Sequence, residues 1–206
     1  MVSKLLLVPW FMMVLYSSIP LFWFAIHPAA PRWRQSRRSP YVYLLPIWAV
    51  IIAVLLFVTW PWHTSQLYWG WWRAVAALPA LALFVTSLRT YRRIGPEFGI
   101  SNFIGENELR PQEDRPVPVT SGLHRSMRHP IYIAHLTMMA AWALASGLAV
   151  TFALLALSVL VTFPLMIWME ERELEKRFGQ SYRDYKKSVP VIPGLRFHRQ
   201  RAEEQA

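Results

Sequence analysis

Five apolar runs, Leu5 to Ile26, Tyr41 to Thr59, Tyr68 to Leu88, Ile131 to Gly147 and Leu148 to Met169, restrict this chain more than any other feature. A helix needs about 20 apolar residues to cross a hydrocarbon core about 30 Å thick, and each run comes close to that length. An unpaired backbone N–H or C=O is so costly in lipid that only helices and closed barrels survive there. Unbroken runs of this kind, without strand-like alternation, are helices. The expected fold is therefore all-α: one integral membrane domain over residues 1–206, a bundle of about five transmembrane helices with a helical segment after the last. A hydrophobic content of 54%, with 11 Trp, fits that class better than a soluble domain with a single core.

Basic residues set the expected orientation, because Lys and Arg near spans stay on the cytoplasmic side. Of the 22 Lys and Arg, all but Lys4 and Arg73 follow the first run, lie between the third and fourth, or follow the fifth. The N-terminus is then expected outside and the C-terminus in the cytoplasm. Pro28-Ala29-Ala30 suggests signal cleavage, but the apolar run before it is too long and its positive cluster follows instead of preceding, so it reads as a retained span. The net charge of +10 suits anionic headgroups. No compact basic domain exists to hold a duplex or strand, so membrane lipids and not nucleic acid are the expected partners. With no cysteine, thiolate chemistry is excluded, and six histidines outside any metal-ligand spacing argue against a zinc centre.

Trp60, Trp62, Tyr68, Trp69, Trp71 and Trp72 resemble an interfacial aromatic belt at the outer face. Pro46, Pro79 and Pro164 fall inside spans, where kinks are tolerated and can open a cavity. Arg89 to Met127, with Gly95-Pro96 and the run Pro111 to Pro118, reads as a long cytoplasmic connection whose Phe98, Ile100, Phe103 and Ile104 form part of a lid. After Met169 the helix is expected to continue to Phe178 and end at Gly179. A short helix from Gln180 to Ser188 follows, stopped by Pro190 and Pro193, and then a basic, polar tail at 194–206.

Two charged motifs bracket the last two runs: Arg128-His129-Pro130-Ile131-Tyr132 opens one, and Glu170-Glu171-Arg172-Glu173-Leu174 closes the other. A turn at Ser146-Gly147 would bring them to the same membrane face. Pro130 suits the first turn of a helix, which places Arg128 and His129 at its entrance, where free N–H groups and the dipole favour a carboxylate or phosphate. Tyr132 can stack on a ring or donate a hydrogen bond. Glu170 and Glu171, at the disfavoured negative end of a span, can bind an ammonium, a sulfonium or ribose hydroxyls. Alone, they read more readily as part of a solvated face in which Glu173 pairs with Arg177.

Together with Phe178-Gly179-Gln180-Ser181-Tyr182-Arg183-Asp184-Tyr185, Val189-Pro190 and Pro193, these motifs change that balance. Arg-His-Pro-x-Tyr, Glu-Glu-x-x-Leu and Phe-Gly-x-x-Tyr-x-x-Tyr, in order over Gly122 to Pro193, resemble the isoprenylcysteine carboxyl methyltransferase family and its phospholipid methyltransferase relatives. That resemblance implies a multi-span enzyme binding S-adenosyl-L-methionine at the cytoplasmic face without a Rossmann domain. Residues 122–193 would form its cofactor-binding core. Arg128, His129, Tyr132, Glu170 and Glu171 would line the cofactor pocket, with Arg128 and His129 as the catalytic candidates. His124, Ala134 and Met166 depart from the usual family pattern and bear on the acceptor.

The resemblance implies methyl transfer to a lipidic or hydrophobic acceptor, foremost a carboxylate of isoprenylcysteine type. A carboxylate needs no general base; an amine does, and His129 or His124 is the candidate, although a lone histidine is more often a hydrogen-bonding structural residue. The alternatives are a phospholipid amine N-methyltransferase, a membrane NADPH-dependent reductase of related architecture and a non-catalytic membrane scaffold. Paired glutamates, which would repel a 2′-phosphate, argue against the reductase.

Overall fold

The computed structural model describes residues 4–35, 39–103, 109 and 120–192. The side chains of Phe98, Ile100, Phe103 and Ile104, the run Pro111 to Pro118, Pro193 and the 194–206 tail, all given roles above, lie outside the described residues. Regular structure among the described residues is helical, with a single isolated β-bridge between Gln66 and Leu148.

Helix α1 (Leu7–Ile26) runs through a tight turn at His27–Ala29 into the short α2 (Ala30–Arg34). Helices α3 (Tyr41–Thr59) and α4 (Trp71–Phe103) follow. Then come α5 (Pro130–Ser146), α6 (Ala149–Leu157), α7 (Phe163–Phe178) and α8 (Gln180–Ser188). Four stretches are long and apolar enough to cross a membrane: Leu7–Arg34, Tyr41–Trp62, Trp71–Gly95 and Ala149–Phe178. The fifth expected span, α5, has 17 residues and is the shortest. It is also the hub, with α1 and α4 packed along it and Tyr132, Ala134, Met138, Met139, Ala141 and Ala143 buried. Hydropathy cannot separate a lipid-facing span from one enclosed by its neighbours, because both are apolar all round. The outer helices have the opposite character: Phe57 is 82% and Leu78 74% exposed, as side chains meeting acyl chains should be.

Contacts sort the elements to two ends. At one end, Trp10 Nε1 donates to Thr59 Oγ1 at 3.0 Å and Trp10 meets Trp60 edge-on, so the start of α1 adjoins the end of α3. The 63–70 loop then lies against the α5–α6 turn, through Leu67 N–H to Gly147 O and Ala149 N–H to Ser65 O, both 2.8 Å. Trp60, Trp62, Trp69, Trp71 and Trp72 are exposed here, as an aromatic belt requires. Tyr68 differs from that expectation: its hydroxyl donates to Leu144 O and its ring covers Gly147, so it is a wedge in the hairpin. Gly147 caps α5 in the left-handed region at φ +66°, the conformation glycine reaches without strain. It turns the chain at the place its sequence indicated.

Between α6 and α7 the helix widens into a π turn, Ser158–Thr162. Pro164 follows in the first turn of α7. A proline ring would collide with the carbonyl four residues earlier in a regular α-helix, and the wider turn gives it room. The disturbance expected at Pro164 is thus spread over the preceding turn.

Candidate active site

Folding α5 back on α6–α7 brings the two charged motifs together at the end of the bundle opposite the tryptophans. His129 is the residue before α5, with Pro130 in the first helical turn, as expected. The imidazole lies between the paired carboxylates: Nδ1 is 3.4 Å from Glu170 Oε2 and Nε2 is 3.2 Å from Glu171 Oε1. Burial alone would lower the pKa of His129, but the Glu170 carboxylate, reinforced by Glu171, more than offsets it and raises it to about 9. At neutral pH His129 is therefore an imidazolium, ion-paired with both carboxylates and in hydrogen-bond reach of Glu171. Tyr132 stacks on it, ring centroids 5.3 Å apart and planes 7° from parallel.

Arg128 is engaged differently from the expectation of an open anion seat. Its Nε donates to Glu171 Oε1 at 2.8 Å. Its Nη1 donates to the carbonyls of Lys186, at 3.0 Å, and of Val189. These carbonyls end α8 and have no partner within their own helix, so the guanidinium caps α8 and ties it to α7. The backbone adds Arg128 N–H to Pro190 O at 2.9 Å. Lys186 completes the cluster, its Nζ 2.8 Å from both Glu171 Oε2 and Glu175 Oε1.

The glutamates are not a solvated face. Glu171 is 6% exposed, and Glu173 is held across the fold by His27 Nδ1 at 2.8 Å and by Arg34. Helix α7 continues about two turns beyond them to Phe178, so the helix dipole, which acts within the last turn, is not what they work against. Burial is the cost, and the surrounding cations offset it. Glu170 Oε2 is sealed from solvent without a hydrogen bond of its own. A buried carboxylate oxygen in that condition suits a cation or a hydroxyl brought by a ligand.

All five residues read from the motifs, Arg128, His129, Tyr132, Glu170 and Glu171, are thus assembled in one place. His124 is buried in a turn at Gly122–Arg125, where its carbonyl accepts from Tyr185 Oη at 2.7 Å. That bond and buried Tyr182 give the Phe-Gly-x-x-Tyr-x-x-Tyr motif its use: it docks α8 over the site. Met166, at the position that departs from the family pattern, is fully buried in the core. Sequence reasoning missed Lys186, His27 and Arg34. Lys186 and Arg34 sat in plain basic runs and His27 in an apolar one, with nothing to mark them as partners of particular glutamates.

The fold is an all-α membrane bundle with a buried charged cluster at one end. The family model for phospholipid methyltransferases matches residues 71–181, more than half of the chain and including both charged motifs. The chain belongs to that family and is a membrane methyltransferase, as the ordered motifs suggested. It is also 27% identical over 198 residues to methanethiol S-methyltransferase 2 of Bradyrhizobium diazoefficiens, covering 86% of this chain and 69% of that one. No solved structure matches it.

Proposed function

We propose that this protein uses S-adenosyl-L-methionine to methylate a hydrophobic acceptor, with residues 122–193 as the donor-binding core. The observation that carries this reading is the buried cluster of Arg128, His129, Glu170 and Glu171, beside the stacked ring of Tyr132. Bound there, S-adenosyl-L-methionine supplies a methyl group activated by a positively charged sulfur. Glu170 and Glu171 would meet its cationic or hydroxyl groups, and the parallel rings of His129 and Tyr132 offer an aromatic wall. Arg128 and Lys186 hold α8 across the cluster and keep water out. Because His129 is an imidazolium, its part is to fix the two carboxylates, not to remove a proton.

The acceptor separates two readings. The family resemblance suggested a carboxylate of isoprenylcysteine type, which needs no base. The relative's name specifies a small thiol, and its similarity extends over most of the chain. We favour the thiol. In orientation, the tryptophan end would face outside, with the site and C-terminus in the cytoplasm, following the distribution of basic residues.

Calorimetric titration of S-adenosyl-L-methionine into detergent-purified protein tests the reading. Saturable binding should vanish in Glu170→Gln/Glu171→Gln with the elution profile unchanged. Absence of binding by well-folded wild type, or displacement by a nicotinamide dinucleotide, would refute it.

A further inference from the structure

Glu173, in the second charged motif, is held by a part of the chain that neither motif contains. Helix α1 stops at Ile26, and Pro28 and Pro31 lie in the first turns of the two short helical pieces that follow. Proline suits a first turn but interrupts a continuing helix, so α1 gives way to a tight corner here. Trp33 Nε1 donates to Ala25 O at 3.1 Å and ties α2 to the end of α1. His27 stacks on Trp23, with centroids 5.1 Å apart and planes 22° from parallel. The corner thus brings two residues seven apart to one carboxylate: Glu173 Oε2 accepts from His27 Nδ1 at 2.8 Å, and Oε1 accepts from Arg34. The side chains of His27 and Glu173 are 2% and 16% exposed, so the pair is shielded from salt.

What this tie does follows from the helix it acts on. Helix α7 leaves the π turn Ser158–Thr162, and one residue gained or lost there would rotate everything beyond it by about 100°. The face that α7 shows at Glu170 is therefore not fixed by the helix itself. Two contacts fix it. Glu171 is held by Arg128 at 2.8 Å. Glu173, two residues on and so about 200° further round, is held by His27 and Arg34. Glu170 lies on the Glu173 side, about 60° from it, and is within electrostatic range of His27 as well as of His129.

We infer that His27 is a positioning residue for the methyl donor: together with Arg34 it holds α7 in the rotation that presents Glu170 to the donor's cationic group, so that the α1–α2 corner is part of the frame of the donor site. This rests on the methyltransferase reading. The effect of His27 passes through Glu173 to Glu170. A displaced Glu170 weakens a charge contact that the donor makes on binding, so the loss is read in donor affinity.

Calorimetric titration of S-adenosyl-L-methionine into the detergent-purified full chain tests this. Affinity belongs to the molecules that remain folded, so partial unfolding lowers the stoichiometry, whereas a positioning defect raises Kd. His27→Leu should raise Kd about tenfold. His27→Asn, whose amide nitrogen takes the place of Nδ1, should restore it to within about twofold of wild type. In a Glu170→Gln background, His27→Leu should add less than about twofold, because both changes remove the same interaction. Arg34→Gln, which leaves His27 in place, should raise Kd several-fold and carries the test if the leucine variant does not fold. A wild-type Kd in His27→Leu, or in Arg34→Gln where that variant stands in for it, would overturn the inference. So would an asparagine variant as weak as the leucine one, or losses that multiply in the Glu170→Gln background. Failure of the wild type to bind the donor would refute the methyltransferase reading instead.

Discussion

Replacing Gly147 with Ala should damage this protein far more than the same change at Gly70. Both glycines have left-handed backbone, φ +66° and +61° respectively. An L-residue there costs about 1–2 kcal/mol. At Gly70 nothing lies within 4 Å of a new Cβ, so strain is the whole effect. At Gly147 the methyl would meet the Tyr68 ring at 2.9 Å and the Tyr68 carbonyl at 3.1 Å. Neither can yield cheaply: the ring is anchored by its hydroxyl to Leu144 O, and the backbone beside it is hydrogen-bonded through Leu67 N–H to Gly147 O. Overpacking of this kind adds about 1–3 kcal/mol, for a total of about 2–5 kcal/mol. For a chain of this size that is a fall in Tm of about 10 °C, against about 4 °C at Gly70. The assay is the monodisperse fraction surviving a temperature ramp in one detergent. Because the turn sets the register of His129 against Glu170, bound donor should decline with folded protein. Equal losses at the two glycines would refute the packing argument.

The raised pKa of His129 has a defined pH signature. Its folded value of about 9 exceeds the ordinary value, so its contribution is complete below about pH 6.5 and is lost as pH rises through 9. Melting temperatures measured between those limits should fall, and in Glu170→Gln the fall should be smaller and end at lower pH. Arg128→Lys keeps the charge but not the fork that holds Glu171 together with two carbonyls at the end of α8; protease cleavage after Gly179 should accelerate several-fold, and an unchanged rate would remove the capping role. Glu173→Gln weakens the tie from α7 to His27 and Arg34 and should cost about 1–3 kcal/mol, read as a lower Tm with donor affinity reduced less than in Glu171→Gln. Since the chain has no cysteine, single cysteines placed at Trp69 and Asp184 report sidedness cleanly. A membrane-impermeant maleimide added to intact cells should label only the first.

The extent of the helices was legible because it depends on local chemistry. Apolar length, Pro130 at a helix start, Gly147 and Gly179 at helix ends, and the break before Gln180 all act within a few residues of themselves. The motif residues were legible for a related reason: a turn at Gly147 between two helices of similar length must return Glu170 and Glu171 to the neighbourhood of His129. Partnership was not legible. Whether Glu173 pairs with Arg177 or is taken by His27 and Arg34 depends on where α1 and α2 pack, and Arg128 looked like an open anion seat until α8 was placed beneath it.

By its sequence alone, then, this protein was bound to be an all-α membrane bundle with a charged hairpin at one end, since backbone desolvation in lipid and turn stereochemistry act locally. Tertiary structure decided that α5 is enclosed, that His129 is held between two carboxylates, and that Glu173 is taken by His27 and Arg34. Those outcomes depend on side chains remote in sequence competing for the same buried space and charge, and no local pattern records which of them will meet.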